Sequence, residues 1–310
     1  MMRILVTTQM MIHDQERFSK ELSSCCDSID FVMNEQFMTE EQCLELSPIY
    51  DGWIAGDDEI TCSVIDHMLP RLKVISKWGT GIDSIESDYA ESQGVSIKNS
   101  PGAFSDAVGE MAVAYLLSLT RGVVSTDRCV RRGIWPKKKY RTLVDFNVGF
   151  IGMGAIGSGA AARLASLGCD VHYSDPLVAM SDYKKVSIED LFDLCDAVII
   201  TSSLNPSTNA LVNKSLIARS KKGVIIINVG RGPIVVEEDL VWGLEEGIVV
   251  GAALDVYETE PLPVSSKLLK FENVILGSHN ANNTVDAVEY VHKNTIDQLK
   301  NALSERASDE

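Results

Sequence analysis

The sequence predicts an α/β protein built on doubly wound parallel sheets, and three observations predict it. Short apolar runs alternate with amphipathic segments along almost the whole chain. Strand–helix alternation with short connections is the pattern of parallel sheets covered by helices. In mid-chain, the apolar run from Val148 leads straight into Gly152-Met153-Gly154-Ala155-Ile156-Gly157, after which Ala160, Ala161, Leu164 and Leu167 recur at helical spacing until Gly168. A second apolar run, Val171–Ser174, then ends in Asp175, 18 residues past Gly157. Strand, G-x-G-x-x-G turn, helix and downstream acid together form a dinucleotide-binding pattern. Gly152 makes the tight turn, and Gly154 lets a pyrophosphate approach the backbone. The helix opening at Ala155 and Ile156 aims its N–H groups at the anion, and Gly157 lets that helix sit close on the sheet. Asp175 stands where the ribose hydroxyls would be received.

Taken in order, the first strand is Ile4–Val6, followed by Ile29–Val32, Gly52–Ala55, Val74–Ser76 and Val95–Ile97, with helical patterns around Phe18–Leu22 and Ile60–Leu69. Ligands of open α/β sheets bind at the carboxyl ends of strands. The loops Gly56-Asp57-Asp58-Glu59 and Lys77-Trp78-Gly79-Thr80-Gly81 are therefore candidates for a substrate mouth. Asn99-Ser100-Pro101-Gly102 is a turn, and the apolar helix from Ser105 to Arg121 reads as a linker between domains, although a buried core helix has the same pattern. Lys137–Arg141 is a basic run whose simpler reading is a solvated loop.

After Asp175 come strands Ala197–Ile200, Val224–Asn228, Val249–Ala253 and Val274–Leu276, with helices at Ile188–Leu194, Asn213–Ala218 and Val236–Glu246. With the two strands around the glycine turn, these complete a six-strand dinucleotide-binding domain over residues 100–280. A last helix, Thr284 to about Leu303, returns to the first domain and ends in a frayed polar tail, so that 1–99 plus 281–310 form the other domain with a cleft between the two.

A net charge of −16 argues against non-specific nucleic-acid binding and against adhesion to an anionic membrane. No apolar run approaches the length of a membrane span, and the N-terminus reads as a strand rather than a signal peptide. Seven cysteines without a C-x-x-C pair read as reduced thiols of a cytoplasmic protein. No residue pattern calls for a metal. A small anionic substrate would need individual basic residues in a cleft.

Such groups follow three successive strands of the second domain: Asn228-Val229-Gly230-Arg231-Gly232, then Asp255-Val256-Tyr257-Glu258-Thr259-Glu260-Pro261, then Gly277-Ser278-His279-Asn280. Arginine suits a carboxylate, which it can clamp with two parallel N–H bonds. A histidine beside a carboxylate can hold a proton near neutral pH, as reversible chemistry at an alcohol or carbonyl requires. Singly, a loop Arg is most simply a solvated charge and a lone His a structural one; three at successive strand ends are hard to explain by accident.

With these stretches, and with Lys77–Asp83, Asn99–Ala103 and Gly109-Glu110, nearly the whole chain resembles the D-isomer-specific 2-hydroxyacid dehydrogenases. The family includes D-3-phosphoglycerate dehydrogenase, glyoxylate/hydroxypyruvate reductase and D-lactate dehydrogenase. The resemblance implies a Rossmann dinucleotide-binding domain inserted into a flavodoxin-like parallel-sheet substrate domain, with NAD as cofactor and a homodimer as assembly. It places the catalytic Arg, Glu and His on Arg231, Glu260 and His279. It assigns Val229, Gly230 and Asp255 to the cofactor, Asp255 holding the nicotinamide carboxamide. It also sets Lys77, Gly79, Thr80 and Gly81 opposite Arg231 at the substrate; a solvated lysine is the alternative for Lys77. Two departures stand out: Ser278 replaces a proline before the His, and Asn280–Asn283 is unusually polar. The end of the chain soon after the last helix implies no regulatory domain of the kind some phosphoglycerate dehydrogenases carry.

The expected reaction interconverts a 2-oxo acid and a D-2-hydroxy acid by hydride transfer. Arg231 binds the carboxylate, His279 exchanges the proton, and Glu260 stabilises the imidazolium. The alternatives are an NAD(H)-sensing corepressor-like protein without catalysis, and a phosphite- or formate-type dehydrogenase of the same architecture.

Overall fold

A computed structural model describes residues 1–34 and 37–307, and the chain divides into two compact units: Met1–Ala103 with Val285–Glu310, and Phe104–Thr284.

In the first unit, β1 (Arg3–Val6), β2 (Ser28–Phe31), β3 (Gly52–Ala55), β4 (Val74–Lys77) and β5 (Ser96–Lys98) form a wholly parallel sheet in the order β2-β1-β3-β4-β5. Between them run α1 (Gln9–Ile12), α2 (Gln15–Leu22), α3 (Glu40–Leu44), α4 (Cys62–Met68) and α5 (Ser87–Ser92). Local chemistry starts these short helices. Thr39 and Gln42 close a capping box on α3, and Thr61 accepts the Val64 amide on α4. One face of the sheet presents Leu5, Trp53, Ala55 and Ile75 to Val64, Ile65 and Met68 of α4. The other is covered by the C-terminal helix Val285–Ala307, which Gly52 admits: a side-chain carbon there would lie 2.9 Å from Leu299. That helix continues through the segment expected to fray, and 308–310 lie outside the described residues.

A fully buried carboxylate pins the carboxyl ends of these strands. Asp58 accepts from the Thr7 hydroxyl, the Met38 amide (2.9 Å) and the Gly56 amide (3.0 Å), while Trp53 Nε1 donates to Thr7 Oγ1 at 2.8 Å. Burial pushes the Asp58 carboxyl up, and its three donors oppose that.

His292 of the C-terminal helix is buried, and its Nδ1 accepts the Trp78 indole N–H at 3.0 Å. Burial holds this imidazole below its ordinary value, with Arg17 acting the same way and Glu289, Glu21 and Asp14 opposing. The unfolded chain therefore takes up this proton first, and stability falls as pH drops below about 6.5. Between pH 7.5 and 5.5 the melting temperature of the wild type is expected to fall more than that of His292→Gln; equal falls would remove His292 as the cause.

The second unit opens with α6 (Ser105–Thr120) and α7 (Val123–Arg131). It continues through β6 (Asn147–Ile151), α8 (Ala155–Ser166), β7 (Asp170–Ser174), β8 (Lys184–Lys185), α9 (Ile188–Leu194), β9 (Ala197–Ile200), α10 (Lys214–Arg219), β10 (Val224–Asn228), α11 (Glu237–Glu245), β11 (Val249–Leu254) and β12 (Val274–Leu276). The parallel sheet runs β12-β11-β10-β9-β6-β7-β8, so the strand order reverses between β6 and β9, where a doubly wound sheet places its ligand. β8, absent from the sequence expectation, is a two-residue edge pairing of Lys184 and Lys185 with His172 and Tyr173. Central strands β9 and β10 are buried at every residue, which explains their unbroken apolar runs.

The structure corrects one expectation. α6 is not a linker but the first helix of this unit, packed on α8, β10 and β11 at once. Gly109 allows the approach, since a side-chain carbon there would sit 3.2 Å from the Ala160 amide. Contact on several sides removes the polar face that would have marked a surface helix. No single helix among the described residues is long and apolar enough to cross a membrane.

Candidate active site

The glycine turn sits at the end of β6. Gly152 has φ +94°, and a side-chain carbon there would lie 2.8 Å from the Ser202 amide in the loop after β9. One at Gly157 would overlap the Gly152 carbonyl, which also accepts from Thr201 Oγ1 at 2.8 Å. Gly154, by contrast, faces open space: nothing lies within 4 Å of the corresponding position. Gly230, after β10, comes as close to the Ser202 carbonyl, 2.8 Å from its own absent Cβ. The loops after β6 and β10 thus both close on Ser202, whose hydroxyl is buried with no hydrogen-bond partner among the described residues.

Asp175 is held on both oxygens. Oδ2 accepts the Met153 amide at 2.8 Å, and Oδ1 accepts the amides of Leu177 (2.8 Å) and Val178 (3.2 Å). The carboxylate is thereby fixed beside the glycine turn, and its remaining lone pairs suit vicinal ribose hydroxyls. The bare backbone at Gly154, the orphaned Ser202 hydroxyl and the oriented Asp175 carboxylate fit a dinucleotide.

The catalytic candidates belong to the next three strand ends. Asn228, buried at the end of β10, accepts the Gly230 amide (3.1 Å) and donates to the Arg231 carbonyl (2.9 Å), so its side chain sets the turn that carries Val229, Gly230 and Arg231. Arg231 Nη1 donates to the Gly230 carbonyl at 3.0 Å. After β11, the Asp255 amide donates to the Asn228 carbonyl (2.9 Å), and the Asp255 carbonyl accepts the His279 amide (2.7 Å). That last bond helps hold His279 at φ +53°, an uncommon conformation for a residue with a side chain. His279 Nδ1 lies 2.7 Å from Glu260 Oε2, and Glu260 Oε1 accepts the Tyr257 amide at 2.9 Å. The His–Glu pair is mostly sheltered, at 24% and 14% side-chain exposure, so its charges attract through less water than a surface pair would.

The substrate candidates of the first unit lie together at the carboxyl end of β4. Gly79 has φ +132°; its carbonyl accepts the Ser100 amide (2.8 Å), Thr80 Oγ1 donates to the Ser100 carbonyl (2.9 Å), and the Thr80 carbonyl accepts from Asn99 Nδ2 (2.6 Å). Gly81 follows in the same loop. Lys77 is not the solvated lysine of the simpler reading. It is buried, and its ammonium donates to Asp57 Oδ1 at 3.0 Å and to the Trp78 carbonyl at 3.1 Å. Its positive charge is therefore balanced within the same unit. Sequence reasoning left without a role Asn228, Ser202 and Tyr115, whose hydroxyl donates to Asp255 Oδ1 at 3.0 Å; Asn228 at the end of an apolar strand was the one legible signal. No cluster of three metal-ligating side chains occurs among the described residues.

The chain is similar to known proteins over most of its length. Residues 113–281 match the family described as D-isomer specific 2-hydroxyacid dehydrogenase, NAD binding domain. The chain is 33% identical over 304 residues to the glyoxylate reductase of Thermofilum pendens, covering 91% of this chain and 88% of the other. It is 34% identical over 259 residues to a glyoxylate/hydroxypyruvate reductase of Arabidopsis thaliana, covering 82% and 80%. Among solved structures, the pyruvate reductase of Chlamydomonas reinhardtii superposes with a TM-score of 0.79 at 26% identity, over 98% of this chain and 97% of that one.

Proposed function

The chain belongs to the D-isomer-specific 2-hydroxyacid dehydrogenases, NAD-dependent enzymes that interconvert 2-oxo and D-2-hydroxy acids, and on that footing we propose that its substrate is a small 2-oxo acid with one carboxylate, of the glyoxylate or hydroxypyruvate class, handled by Arg231, Glu260 and His279. The observation that carries the assignment of residues is the 2.7 Å pairing of His279 Nδ1 with Glu260 at adjoining strand ends.

Arg231 binds the substrate carboxylate through parallel N–H bonds and polarises the neighbouring carbonyl. NAD, when bound, supplies or accepts the hydride. With Nδ1 engaged by Glu260, Nε2 of His279 is the nitrogen that gives the proton to the carbonyl oxygen, and in the reverse direction it takes the proton from the alcohol. Glu260, itself oriented by the Tyr257 amide, fixes the ring and stabilises the imidazolium. The substrate class is supported by the balance of Lys77 with Asp57, which leaves little attraction for a second anionic group. It is supported further by the activities named for the two relatives. The reading includes a cytoplasmic homodimer. Its support is seven free thiols, together with the exposed apolar residues Val123, Val130, Ile134 and Trp135 on and just beyond α7.

Asp175 also repels a 2′-phosphate, favouring NADH over NADPH. The test is a kcat/KM screen of glyoxylate, hydroxypyruvate, pyruvate, 2-oxoglutarate and 3-phosphohydroxypyruvate with both cofactors. Glyoxylate or hydroxypyruvate is expected to lead, with NADH preferred by about tenfold or more, since like charges brought together cost several kcal/mol. Preference for 3-phosphohydroxypyruvate overturns the substrate class, and parity with NADPH overturns the role of Asp175.

A further inference from the structure

Asp255 is almost fully buried, and two groups from different parts of the second unit hold its carboxylate. Oδ2 accepts the Ala281 amide at 2.9 Å, from the segment just past His279. Oδ1 accepts the hydroxyl of Tyr115, on α6, at 3.0 Å. Burial pushes the Tyr115 phenol well above its ordinary value, and the Asp255 charge pushes it the same way, so the hydroxyl stays a donor throughout the working pH range.

This contact depends on a third residue. A side-chain carbon at Gly277 would overlap both Asp255 Oδ1 and the Tyr115 hydroxyl and would lie 3.0 Å from Asp255 Cα. Glycine here is a matter of space: Gly277 is not among the residues with positive φ. The Gly277 carbonyl is itself held by the Tyr257 hydroxyl at 2.7 Å, so the backbone has little room to withdraw.

We propose that Tyr115 is a positioning residue for the hydride transfer: its hydroxyl, using the space left by Gly277, sets the plane in which the Asp255 carboxylate meets the nicotinamide carboxamide. The proposal rests on the reading that Asp255 receives that carboxamide. A carboxylate has about four acceptor positions. Tyr115 and Ala281 take one on each oxygen, which fixes both torsions of the side chain and leaves an oriented lone pair for a carboxamide N–H. The Asp255 carbonyl holds the His279 amide, so the same residue links the cofactor contact to the backbone of the proton donor. Without the phenol hydroxyl, Oδ1 loses its donor and the carboxylate is free to turn.

Tyr115→Phe keeps the ring and removes only the hydroxyl. Its equilibrium Kd for NADH, measured by nucleotide fluorescence, is expected to rise about tenfold, the scale of one hydrogen bond to a charged group. KM for the 2-oxo acid at saturating NADH should stay within about twofold, as for a group that touches only the cofactor side. A 3-acetylpyridine analogue of NADH has no carboxamide N–H, so wild type and Tyr115→Phe should bind it equally. Gly277→Ala should weaken NADH binding as well, and adding it to Tyr115→Phe should cost less than the product of the two single effects, because both break the same contact. Unchanged NADH affinity in Tyr115→Phe overturns the proposal, as does an equal loss with the acetylpyridine analogue, which would indicate a general packing defect. Asp255→Asn separates the two layers. If it leaves NADH affinity intact, the carboxamide reading fails; if it weakens binding while Tyr115→Phe does not, the role of Tyr115 alone fails.

Discussion

Replacing His279 by Asn is expected to lower kcat by about 10²–10⁴, the scale of a lost, positioned proton donor, while NADH affinity changes little. Asn is the informative substitution because it keeps a polar planar group beside Glu260 but cannot carry a proton near neutral pH. Near-normal turnover would move proton transfer elsewhere in the molecule. Glu260→Gln probes the partner. The amide cannot stabilise an imidazolium as the carboxylate does, so the ring gives up its proton more readily. In the oxidation direction, which needs the neutral ring, the acid limb of the pH–rate profile should move to lower pH. A stationary limb would mean that the 2.7 Å contact orients the ring without tuning it.

Arg231→Lys is expected to lower kcat/KM for the 2-oxo acid by about 10², because a charged hydrogen bond is worth about 1.5–3 kcal/mol and lysine cannot reproduce the planar pair. The loss should appear mainly in substrate KM if the arginine binds ground and transition states alike, and mainly in kcat if polarisation of the carbonyl dominates. KM for NADH should not move. The turn itself should survive, since Asn228 grips the backbone at Gly230 and Arg231 rather than the guanidinium. A lysine variant with wild-type kcat/KM would exclude two-pronged carboxylate binding.

How much of this was legible beforehand varied with how local the determinant was. The central strands of the second unit announce themselves because both faces are buried, so Val224–Ile227 and Ala197–Ile200 read as unbroken apolar runs. The glycine turn was legible because its spacing, between an apolar run and a helical pattern, is local, although the room that Gly152 leaves for Ser202 could not be read from it. α6 misled because a helix packed on several sides looks the same as one that bridges domains. The pairing of Lys77 was illegible for a different reason. A lone lysine at a strand end carries no mark of an ion pair with Asp57, because the two are joined only by strands lying side by side in the sheet. Tyr115 and Asp255 are 140 positions apart, and nothing near either in the chain points to the other.

The make-up of the first unit bears on biosynthesis. Its sheet is made entirely from residues that precede the second unit, yet the helix that covers one face follows that unit in the chain. That helix supplies Leu299 over Gly52, the Thr295 carbonyl to Ser76 Oγ at 2.8 Å, and His292 to Trp78. At translation rates of about 5–20 residues per second, the intervening second unit takes roughly 10–40 s to synthesise. The second unit, being continuous, can fold on the nascent chain during that interval. The first cannot be completed until that helix has been made, and its exposed apolar strand face is where a chaperone would be needed.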